Sequence, residues 1–121
     1  MSTTAAPRFI EIQKIAYGKN GIKLEIPESL TILDNPSDVP APGCGAIRVM
    51  TPQDGDKRVV WNSGVFAEIN DAKSMFDKLV LEGLVPYRVG IDGKSTSEVM
   101  SEFDPHAEEI IFLPVALVAG G

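Results

Sequence analysis

The run Ile110-Ile111-Phe112-Leu113 constrains the fold more than any other stretch. Four consecutive apolar residues without alternation predict a strand buried on both faces, which means a central place in a sheet. This strand, over Glu109 to Val115, comes late in the sequence. It must therefore insert between strands formed earlier. A second constraint is one clear helix, over about Asp71 to Glu82. Ala72, Met75, Phe76, Leu79 and Val80 fall at i, i+3, i+4, i+7 and i+8 and form one apolar stripe. Asn70 or Asp71 can accept the free N–H groups at its start. Gly83 stands where a left-handed C-cap belongs, followed by Leu84 for the accompanying apolar contact.

The other elements read as strands and turns. Phe9 to Tyr17 is rich in β-branched and aromatic residues. After Gly18-Lys19-Asn20-Gly21, Ile22, Leu24 and Ile26 alternate with Lys23 and Glu25, which predicts a β-hairpin over 9–27. Residues 1–8 read as a flexible tail. Residues 28–45 carry Pro36, Pro40, Pro42, Gly43 and Gly45 and read as a long irregular connection, either an ordered surface loop or a contact arm. Ala46–Thr51 and Lys57–Asn62, joined through Asp54-Gly55, predict a second hairpin. Pro86–Ile91 reads as a strand, with Tyr87, Val89 and Ile91 alternating. Ser95–Phe103 reads as weakly helical, Ser95 and Glu98 fitting a capping box. The fold class that follows is α+β: a β-grasp-like mixed sheet over 46–115 with one main helix, an added N-terminal hairpin, and a tail over 116–121.

Composition narrows the function. The 121 residues, 44% hydrophobic, suffice for one modest core. The net charge of −6 repels nucleic acid, and the 11 Lys and Arg are scattered, with Lys57-Arg58 the only adjacent pair. No apolar run reaches the roughly 20 residues of a membrane helix. Met1–Pro7 has no signal-peptide pattern. A cytoplasmic protein, or a virion component assembled there, is expected, with neither nucleic acid nor membrane as partner.

Residues that could carry chemistry are few. Cys44, in Pro42-Gly43-Cys44-Gly45, is the single cysteine, and His106 the single histidine. Nothing in their spacing points to a Cys/His pair, so Cys44 reads as inert and His106 as a solvated turn residue. Asp54, Gly55 and Asp56 form a calcium-loop fragment without the later ligands, which the hairpin turn explains. Glu108-Glu109 and Asp34 with Asp38 read as solvated surface. Trp61 and Phe66 read as core, with an exposed contact patch as the alternative. There is no phosphate loop. The expectation is a chain that is no enzyme, needs no cofactor or metal, and works by being bound.

The feature left over is Ala119-Gly120-Gly121. Lacking side chains, Gly-Gly can thread a narrow channel. A carboxylate there can be adenylated and then attacked by a sulfur or amine nucleophile. The stretch Glu108-Glu109-Ile110-Ile111-Phe112-Leu113-Pro114-Val115, then Val118-Ala119-Gly120-Gly121, resembles the C-terminus of ubiquitin-like sulfur carriers, such as the small subunit of molybdopterin synthase and the sulfur carrier of thiamine biosynthesis. It is also similar to the ubiquitin-like domain of some phage tail assembly proteins. Two residues, Ala116-Leu117, are inserted relative to that pattern. The resemblance implies a β-grasp carrier or modifier. Gly121 would be the acyl group passed to a separate, ATP-dependent activating enzyme, Gly120 would let it enter the site, and Ala119 would belong to the partner-binding tail. The rival expectation is a structural subunit of a virion or tail whose tails and Pro-rich segment contact assembly neighbours.

Overall fold

The computed structural model describes residues 8–13, 21–33, 35, 37–51, 55–89 and 98–114. Its elements are β1 (Arg8–Gln13), β2 (Gly21–Ile26), β3 (Thr31–Leu33), β4 (Cys44–Thr51), β5 (Gly55–Asn62), α1 (Phe66–Leu81), β6 (Leu84–Val89), β7 (Glu98–Val99) and β8 (Glu109–Pro114). β1 and β2 pair as an antiparallel hairpin. The other strands form one mixed sheet in the order β3-β5-β4-β8-β6-β7. β4 and β5 are an antiparallel hairpin, α1 follows, and β8 inserts between β4 and β6. β8 runs parallel to β4, which is the β-grasp arrangement.

Alternation along the strands assigns the faces. Ile47 and Val49 of β4, Val59 and Trp61 of β5, Leu84 of β6 and Ile110 and Phe112 of β8 are buried with α1's Ala72, Met75, Phe76 and Leu79 in one core. The N-terminal hairpin extends that layer, since Ile10, Leu24 and Ile26 belong to the same core. The Arg8 guanidinium donates to the carbonyls of Pro27 and Leu30 and ties the start of β1 to the chain leaving β2.

Several expectations change. The helix starts at Phe66, five residues before Asp71, with Val65 as an N-cap that makes no side-chain bond. The Glu68 carboxylate in the first turn accepts the Asn62 N–H at 2.9 Å and so ties the helix start to the end of β5. Asp71 lies inside the helix, where it accepts from the Ser29 hydroxyl at 2.5 Å. Val80, assigned to the apolar stripe, is exposed, while Ile69 packs on the core. Gly83 has φ +97°, the left-handed C-cap expected of it. Residues 28–45 are not wholly irregular: β3 pairs with β5, and β4 begins at Cys44. Residues 98–99 are a strand rather than helix, because they pair with Arg88 and Tyr87. Pro86 explains why β7 stops there. Its carbonyl accepts the Met100 N–H at 3.0 Å, but proline has no N–H to return on that side.

β8 is central, as the apolar run predicts. Ile110 and Phe112 are buried on the helix side, whereas Ile111 and Leu113 are half-buried on the other face. Val115 and the expected tail over 116–121 lie outside the described residues, as do residues 1–7, 14–20 and Ser95. No helix among the described residues is long and apolar enough to cross a membrane.

Candidate functional site

The place from which the chain leaves the sheet is built from the core outward. Phe112 meets Phe76 edge to face at 5.4 Å, and Phe76 meets Phe103 at 5.7 Å. Phe103 in turn lies 5.1 Å from Trp61, whose indole N–H donates to the Pro105 carbonyl at 3.1 Å. This aromatic chain pins the loop before β8. The Ala46 N–H, bonded to the Glu108 carbonyl at 3.1 Å, then sets the parallel register of β8 on β4. Arg48 pairs with Glu109 at 3.0 Å at the strand's entry. At its far end Pro114 stands opposite Leu84, the first residue of β6. β8 therefore ends level with the start of β6, just after the turn that closes α1. Ala119, Gly120 and Gly121 lie outside the described residues.

Asp104 locks the same loop. Its carboxylate accepts the His106 backbone N–H at 2.9 Å and pairs with Arg88 at 2.5 Å. The His106 N–H and the Arg88 guanidinium outweigh partial burial and hold Asp104 below its ordinary value of 3.8. A depressed folded-state pKa contributes stability above the unfolded value, and that contribution is lost as pH falls through the folded value. Asp104→Asn is therefore expected to lower the urea midpoint at pH 7, and the gap from the parent chain should close as pH drops below about 3.8. A gap that does not change with pH contradicts this assignment.

The opposite end of the sheet carries a groove of about 570 Å³. Pro40, Pro42, Cys44, Ser63, His106 and Glu108 are among its lining residues, so Cys44 and His106 share a wall although 62 positions separate them. Cys44 is half-buried and free, and His106 is exposed. Among the described residues no cluster of three or more Cys, His, Asp or Glu could hold a metal ion. Where it is described, the Pro-rich segment is hydrogen-bonded to β5 and the chain after it. Arg58 donates to the carbonyls of Asn35 and Asp38 at 2.9 and 2.7 Å, and the Ser63 hydroxyl to that of Gly43 at 2.6 Å. Of the two aromatic residues weighed as a contact patch, Trp61 is fully buried and Phe66 is 76% exposed. Asp34 and the side chains of Asp54 and Asp56 lie outside the described residues. The anchoring role of Phe103 was hidden in sequence, because a lone Phe in a Ser/Glu-rich stretch has no periodicity to mark it.

No protein-family model matches the chain, and neither curated proteins nor solved structures include a match to it.

Proposed function

We propose that this chain is a non-enzymatic, ubiquitin-like carrier or modifier whose Gly120-Gly121 is gripped and activated by a partner enzyme. One observation supports the reading best: the strand leading to the diglycine is an interior one, parallel to β4 over Glu109–Ile111 and paired with β6 along its whole length. A chain leaving the middle of a sheet has a fixed point of departure. A partner can then dock on the folded body while it threads the small residues beyond.

The chemistry asked of the chain is modest. The Gly121 carboxylate attacks the α-phosphorus of ATP and displaces pyrophosphate, giving an acyl adenylate. A sulfur or amine nucleophile then displaces AMP. All catalytic groups belong to the partner. The reading requires that the mature protein end at Gly121.

The test is incubation with ATP and a candidate adenylating enzyme, read by intact mass. The expected product is an acyl adenylate, a thiocarboxylate or an amide conjugate, and removal of Gly121 should abolish it. A tail that stays unmodified, in a protein recovered from a large symmetric particle, favours instead the structural subunit of a virion or tail.

A further inference from the structure

The two edges of the main sheet are short, three residues in β3 and two in β7, a length that discourages pairing with other chains. The hairpin is different. β2 is six residues long and, among the described residues, pairs only with β1. A groove of about 340 Å³ lies between β2 and α1, with Glu25, Ser74, Met75 and Lys78 among its lining residues. Alternate residues of a strand turn N–H and C=O toward such an edge, and another extended chain satisfies that row best.

The sequence of β2 says which chain fits. In Gly21-Ile22-Lys23-Leu24-Glu25-Ile26, antiparallel pairing about Leu24 sets Lys23 opposite the second copy's Glu25, and Glu25 opposite its Lys23. Lys23 and Glu25 are exposed, whereas Leu24 is fully buried within its own chain, so the charged pairs carry the contact. Lys23 stands over the Phe9 ring of β1, 4.6 Å from its centre, and pairing would draw its ammonium across to the second copy's Glu25. A strand whose charges complement themselves under a two-fold axis suits an isologous contact. We infer that β2 is a homodimerisation edge, joining two hairpins into a four-stranded antiparallel sheet β1-β2-β2-β1. This inference does not depend on the fate of the diglycine.

Sedimentation velocity over a micromolar to millimolar concentration series tests it. The parent chain should show a reversible monomer–dimer equilibrium. Glu25→Lys turns both cross-strand pairs repulsive and should raise the dimer Kd roughly tenfold or more. Lys23→Glu should do the same, so a folding defect in one variant leaves the other to decide. The double variant K23E/E25K restores opposite charges and should recover most of the parent affinity. Circular dichroism and Trp61 emission check that each variant is folded. A chain that stays monomeric throughout, or a dimer whose Kd the single substitutions leave within twofold, overturns the inference.

Discussion

Phe76→Ala is expected to destabilise the protein by about 4 kcal/mol, the range for emptying a buried aromatic site. Phe76 is 2% exposed and is the one ring in contact with both Phe103 and Phe112. Truncation opens a cavity and removes two edge-to-face contacts, each adding about 1 kcal/mol beyond area. The neighbours have little freedom to refill the space. Phe112 is held by the pairing of β8 with β6, where it stands opposite Pro86, and Phe103 by its contact with Trp61. In a domain of this size the melting temperature should fall by on the order of 15 °C. Urea unfolding followed by Trp61 emission measures it directly. Phe66→Ala, at a ring that is largely exposed, is the control and should stay within about 0.5 kcal/mol of the parent. A Phe76 variant as stable as that control would mean that helix and sheet are not packed as described.

Gly45→Ala should cost about 3 kcal/mol, at the upper end of overpacking penalties. A Cβ there would lie 2.3 Å from Trp61 Cζ2 and 2.5 Å from the Ala107 carbonyl oxygen. Neither neighbour can move aside cheaply. The indole is tethered to the Pro105 carbonyl, and residues 107–108 are tethered by the Asp104 carbonyl and the Ala46 N–H. The methyl therefore has to displace the loop that sets the register of β8. A lower urea midpoint should come with a shifted Trp61 emission maximum in the folded state. An unchanged midpoint would show that Trp61 does not lie over β4 at Gly45.

Periodicity made the helix and the central strand legible, because Ala72, Met75, Phe76 and Leu79 repeat a helical stripe and Ile110–Leu113 does not alternate. It placed the helix start badly. Val65, the N-cap, has no side-chain acceptor, so nothing of the usual kind marks the start, and Asn70 and Asp71, which have one, lie inside the helix. β3 and β7 stayed hidden because two or three residues cannot display a period of two; pairing with β5 and β6 makes them strands. Cys44 and His106 meet in one groove through the parallel pairing of β4 with β8, a long-range contact that local spacing does not encode. The diglycine was legible as composition alone, with no packing partner in the sequence to say more.

The central claim is that the protein acts through Gly121 as an acyl group. Its most direct test is the mass of the C-terminal peptide of the protein isolated from its native source. The account predicts a chain ending at Gly121, with a fraction carrying sulfur in place of a carboxylate oxygen or an amide bond to a partner's amine. A peptide that always carries a free carboxylate, or that continues past Gly121, contradicts it.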